Sequence, residues 1–145
     1  MAAVLIGVGS LWYTNRLVNQ IEITERQKME LWAEAVRITN QADFETDVAF
    51  PFSVIENNTH IPVILTDSAG LILNHKNLDS TKIHEQKYLQ RQLDQARLEN
   101  DSLVINLGPQ ERQYLHYRDS ILLRQLIFFP YVQLGVIILF ILVSY

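Results

Sequence analysis

Residues 126–145, LIFFPYVQLGVIILFILVSY, carry no charged side chain. As a helix rising about 1.5 Å per residue they reach about 30 Å, the thickness of a bilayer's hydrocarbon layer. A helix that is apolar on every side must be covered on every side, by a large core or by lipid. A chain of 145 residues has little else with which to cover it, so the run reads as membrane-embedded. Phe128, Phe129 and Tyr131 gather at its start, as aromatic side chains do where lipid meets water. Pro130 is expected in the same early turns, where a missing N–H costs little.

The other end of the chain is similar. Ala2–Leu11, AAVLIGVGSL, is apolar and rich in small residues, Trp12 and Tyr13 follow it, and every charged residue lies between Arg16 and Arg124. A hydrophobic piece at each end therefore brackets one polar domain. Both aromatic clusters sit on the side facing that domain, so Trp12, Tyr13, Phe128, Phe129 and Tyr131 are expected at one membrane surface. Counted outward from these aromatics, each apolar piece is shorter than the roughly 20 residues of a full span. The expectation is two partial transmembrane helices, residues 1–13 and 121–145, around a central domain at 14–120, with the chain continuing beyond both ends. A cleaved signal peptide is disfavoured for the first piece, which has no basic residue before it and no small-x-small site after it.

Composition narrows the chemistry. The formal net charge is −4 and no basic stripe stands out, which argues against nucleic acid. There is no cysteine, so disulfides, thiol nucleophiles and thiolate metal sites are excluded. His60, His75, His84 and His116 show no ligand-pair spacing, and a metal held by His75 and His116 across strands is a weaker reading than packing roles. The serines lack a nucleophile elbow, and the acidic pairs read as solvated helix faces. No catalytic residue, metal or cofactor is assigned.

Thr14 to Phe44 has no Gly or Pro and is rich in strong helix formers, which predicts one long helix. Two stripes run along it. Leu17, Ile21, Thr24, Lys28, Leu31, Ala35 and Ile38 recur at alternating four- and three-residue steps; Met29, Trp32, Ala33 and Val36 lie about a quarter turn away. One stripe can pack a domain and the other a second helix. The seven-residue recurrence predicts a parallel homodimer with the first stripe as its seam, extended backwards through the small residues Ala3, Gly7, Ser10 and Thr14.

Asp43–His60 reads as irregular. Ile61–Thr66 is a predicted strand, Asp67-Ser68-Ala69-Gly70 a turn in which Asp67 accepts backbone N–H groups and Gly70 takes positive φ, and Leu71–Asn77 the returning strand. Asp79 or Ser80 is expected to cap a helix over Thr81–Asn100. Leu103–Leu107 and Gln113–Tyr117 make a second hairpin, and Asp119-Ser120 precede the last helix. The pattern predicts an α+β fold, a small antiparallel sheet with helices on one side. Strand alternation places Leu71, Leu73 and His75 with Leu115 and Tyr117 on the core face. His75 and Tyr117, with polar tips, either close the core or line a ligand pocket.

The hairpin IPVILTDSAGLILNHKN resembles the strand–turn–strand of PAS-like sensor domains. The tail QYLHYRDSILLRQLIFFPYVQL resembles the end of the extracytoplasmic sensor region of Bacteroidetes-type transmembrane sensor histidine kinases, where the last strand runs directly into the second membrane helix. The resemblance implies a two-component receptor in the inner membrane, with its domain extracytoplasmic and its kinase beyond Tyr145. It implies as partners the bilayer, a second copy, and a small ligand or partner protein outside the cell. His84-Glu85 begins like a phospho-acceptor box but lacks the proline that should follow, and no nucleotide-binding glycine motif is present. The alternative is a membrane-anchored binding or assembly protein with no kinase.

Overall fold

The computed structural model describes the backbone of residues 2–144 and the side chains of residues 6–143. Its elements are α1 (Ala2–Gln41), α2 (Ala49–Asn57), β1 (Val63–Asp67), β2 (Ile72–Lys76), α3 (Gln86–Glu99), β3 (Leu103–Asn106), β4 (Arg112–Tyr117) and α4 (Ile121–Ser144). They form two compact units. One is Glu25–Ser120; the other combines the chain up to Thr24 with the chain from Ile121 onward. The helix expected from Thr14 is continuous with the apolar N-terminus, as the single element α1.

In the Glu25–Ser120 unit all four strands pair antiparallel, in the order β2-β1-β4-β3. The β1–β2 hairpin closes as predicted. Asp67 Oδ1 accepts the N–H groups of Ala69 and Leu71 at 2.9 and 2.8 Å. Gly70 takes φ +84°, the left-handed residue that ends a three-residue hairpin loop. A bulge between Leu65 and Thr66 shifts the β2 register and leaves Leu73 without a partner on β1.

Register fixes the two faces. Val63 stands opposite Tyr117, and Leu65 opposite Leu115, which also faces Leu103. With Ile105 these residues meet Met29, Trp32, Ala33 and Val36 of α1 in one buried cluster. The second stripe of α1 is therefore the domain-facing one. On the other face Ile64 stands between His75 and His116, and Thr66 opposite Tyr114. There α3 packs on β4, burying Leu93 and Ala96. Helices on one side only is thus corrected. The alternation of β1 is hidden because both of its faces are buried: Val63, Ile64, Leu65 and Thr66 are all inaccessible.

Two further expectations are corrected. Asp43–His60 is not irregular throughout, since α2 occupies Ala49–Asn57. Asp47 Oδ1 accepts the Ala49 N–H at 2.9 Å, and Pro51 sits in the first turn, where no N–H is needed. The helix expected from Thr81 begins at Gln86. Asp79 bonds Thr81 at 3.0 and 2.7 Å instead, a side-chain turn that competes with helix.

In the unit of the chain ends, α1 and α4 are antiparallel neighbours. Ser10 Oγ donates to Gln133 Oε1 at 3.0 Å, and a Cβ on Gly7 would lie 3.7 Å from Ile137 Cδ1. Gly7 and Ser10, expected to face a second copy, face α4 of the same chain. Small residues favour close helix approach whichever helix approaches. Thr14 is buried, and the side chain of Ala3 lies outside the described residues. This register sets Trp12 and Tyr13 level with Tyr131. Ile121–Val143 is long and apolar enough to cross a membrane, and its most apolar window is nowhere buried. It is the one such helix among the described residues. α4 starts at Ile121, where the sequence places it after Asp119-Ser120, and Pro130 therefore lies inside the helix and not in its early turns.

Candidate functional site

A groove of about 270 Å3 opens in the Glu25–Ser120 unit between α1 and the segment from α2 into β1. Lys28 and Leu31 form its α1 edge. Buried Met29, Trp32 and Ile61 form its floor. Val54 and residues Asn57 to His60 form the opposite wall.

That wall is held by hydrogen bonds from two directions. Trp32 Nε1 donates to the Ile55 carbonyl at 3.3 Å. Lys76 Nζ donates to the carbonyls of Ile55 and Glu56 at 2.7 Å each, satisfying the end of α2 and placing a cation at its negative pole. Asn77, at the end of β2, takes φ +59°, in the left-handed region that asparagine tolerates better than other side chains. Its amide donates to the carbonyls of Asn58 and Ile61 at 2.9 Å each. Asn58 closes on Ile61 through both its amide and its carbonyl, at 3.0 and 3.2 Å. Through these bonds Asn77 fixes the loop that walls the groove.

A second polar arrangement joins the end of α3 to the segment after β4. Arg118 pairs with Glu99 at 2.6 Å and donates to Gln92 Oε1 at 2.8 Å. Glu99 Oε2 accepts the Asp119 N–H at 3.0 Å, and Asn100 Nδ2 donates to Asp119 Oδ1 at 3.0 Å. Buried Glu25 accepts the Ser120 N–H at 3.2 Å, so the first and last residues of this unit are tied. Burial pushes the Tyr117 hydroxyl above its usual range, against the opposing pull of the Arg26 guanidinium.

The third is a buried pair on the α3 face. Thr66 Oγ1 and His116 Nε2 lie 3.1 Å apart. His116 Nδ1 has no hydrogen-bond partner among the described residues. Burial holds the imidazole down to about 4, with the Arg97 guanidinium of α3 adding to the shift.

The predicted pocket pair is not brought together. His75 stands opposite Ile64 and Tyr117 opposite Val63, on different faces of the sheet. Tyr117 faces the core; Leu71 and Leu73 are exposed, because β2 is an edge strand. Of the predicted seam, Ala35 is buried, Leu17, Ile21 and Ile38 are half-buried, and Thr24, Lys28 and Leu31 are exposed. Trp12, Tyr13, Phe128, Phe129 and Tyr131 are all exposed. Among the described residues no group of three or more His, Asp or Glu could hold a metal ion. The groove wall was not legible as a site, because its segment reads as irregular; Asp47 before Pro51 was the available helix-start signal. Comparison with protein-family models, with curated proteins and with solved structures found no match to this chain.

Proposed function

We propose that this chain is the signal-input region of a transmembrane sensor histidine kinase. In this reading Glu25–Ser120 is a PAS-like sensor domain outside the inner membrane, and the kinase is carried by polypeptide beyond residue 145. The supporting observation is the hydrogen bond between Glu25 and Ser120. It ties the two points at which the domain continues into apolar helices, α1 without a break and α4 from the next residue. A stimulus that binds one separation of these two points better than another acts on both chain ends at once, and can do so only by that difference in affinity. The exposed seam residues Thr24, Lys28 and Leu31 are the proposed contact with a second copy in a parallel homodimer.

The test is a chimera of residues 1–145 with the dimerisation and catalytic domains of a histidine kinase, with one to four residues inserted at the junction. Autophosphorylation that rises and falls with the helical repeat supports the reading. A flat response leaves a membrane-anchored binding or assembly protein. A reporter fused at residues 57–59 should be active only outside the cytoplasm; cytoplasmic activity there overturns the topology.

A further inference from the structure

We propose that the groove between α1 and α2 binds a small carboxylate with an apolar body, the body over Trp32, Met29 and Ile61 and the carboxylate at the Lys28 rim. Only the consequence of binding, a signal, rests on the function proposed above; binding itself does not.

The charge pattern selects the ligand's sign. The protein carries a net charge of −4, yet among the described residues no Asp or Glu lines the groove. The one permanent charge among its lining residues is the Lys28 ammonium, and His60, Thr59 and Asn57 share the rim. An ammonium beside hydroxyl, amide and imidazole groups offers a carboxylate a charge-assisted hydrogen bond with further donors around it. A cationic ligand meets no carboxylate on these walls.

The floor selects the ligand's body. An indole, a thioether and a branched aliphatic side chain make an apolar base on which a flat or short hydrocarbon group sits. The volume, about 270 Å3, lies near the lower end of small-molecule sites, roughly 300–1,000 Å3. It suits an aryl or short alkyl monocarboxylate. The wall is prepared in advance by Asn77 and Lys76, which limits the ordering that binding would otherwise require.

Position gives binding a consequence. Lys28 and Leu31 belong to the stripe proposed to face a second copy, while Met29 and Trp32 belong to the domain core. A ligand here touches both faces of α1.

The experiment uses the full chain in lipid nanodiscs with phenylacetate as probe and its uncharged isostere, phenylacetamide, as control. Calorimetric titration should give phenylacetate an affinity at least about tenfold above the amide. Lys28→Gln should remove that advantage while leaving the thermal midpoint unchanged. In a Trp12→Phe background, which leaves Trp32 as the sole tryptophan, phenylacetate should shift the indole emission. Equal affinity for acid and amide, a Lys28→Gln chain that binds as before, or a silent Trp32 each overturn the proposal. So does a chain crosslinked through a single cysteine at 31, with Lys28 kept, that excludes phenylacetate, which would assign the groove to the second copy. Phenylacetate that binds as stated but leaves the chimera's autophosphorylation unchanged counts against the signalling reading and leaves the site standing.

Discussion

The two faces of the sheet are buried by different means. On one, Val63, Leu65, Ile105, Leu115 and Tyr117 meet Met29, Trp32, Ala33 and Val36 in a continuous apolar cluster. On the other, Ile64 shares the buried surface with Thr66 and His116, under a polar helix whose fully buried residues are Leu93 and Ala96. The α3 face adds polar fixings where the α1 face uses area, in the Arg118–Glu99 pair and the bonds around it. Apolar contact is indifferent to pH, whereas a buried imidazole is not. The two faces should therefore answer differently to truncation and to acid.

The largest difference is expected from truncation. Leu115 is completely inaccessible and central to the α1 face. Leu115→Ala should cost about 3 kcal/mol, within the range for buried leucine in a well-packed core. Denaturant titration of the full chain in detergent would measure it. A loss under about 1 kcal/mol would show that the face collapses to fill the space and is less rigid than described.

Acid should find the other face. The His116 imidazole sits at about 4 when folded and near 6.5 when free. Between these values the unfolded chain binds a proton that the folded chain refuses, so stability is full above pH 6.5 and falls as pH drops towards 4. The loss should approach about 3 kcal/mol, since each tenfold difference in proton affinity between the two states is worth roughly 1.4 kcal/mol. Asp43 and Asp79 are held below their ordinary values, so their own losses fall at lower pH. The readout is the difference between the wild-type stability curve and that of His116→Gln, which should be flat over this window. Parallel curves would place the imidazole in contact with water. Thr66→Val removes the partner of His116 Nε2 and should cost less, about 1–2 kcal/mol, again on this face alone.

Much of this division was legible in the sequence, but not all. The Met29, Trp32, Ala33, Val36 stripe announced the helix that covers the first face, because a 3.6-residue period survives in sequence when one side of a helix is buried. The α+β order and the Asp67–Gly70 hairpin were legible for the same local reasons. The second face was not. β1 is buried on both sides, so its run of apolar residues carries no alternation to say which side chain points where. The single-residue bulge at Leu65/Thr66 then shifts the β2 register, and one residue of register moves a side chain to the opposite face. His75 and Tyr117 fall on opposite faces because they pair with adjacent residues of β1, Ile64 and Val63. The groove was hidden for a different reason: its walls come from α1, α2 and the start of β1, and only the long-range bonds from Lys76 and Asn77 assemble them.

The smallest expected effect belongs to neither face. Gly70 ends the β1–β2 loop at φ +84°, and a Cβ there would meet Arg97 Nη2 at 3.6 Å, an ordinary contact with a flexible side-chain end. Space is therefore not the constraint; backbone conformation is. Gly70→Ala should cost about 1 kcal/mol, the order expected when an L side chain is forced into the left-handed region. Gly70→Asn should recover most of it, since asparagine tolerates that region and hydrogen-bonds locally. Thermal midpoints of the two variants against wild type separate the alternatives. Equal losses for Ala and Asn would point to a clash with Arg97 on the α3 face. No loss for either would mean that the Asp67 bonds to Ala69 and Leu71 hold the loop without help from the glycine.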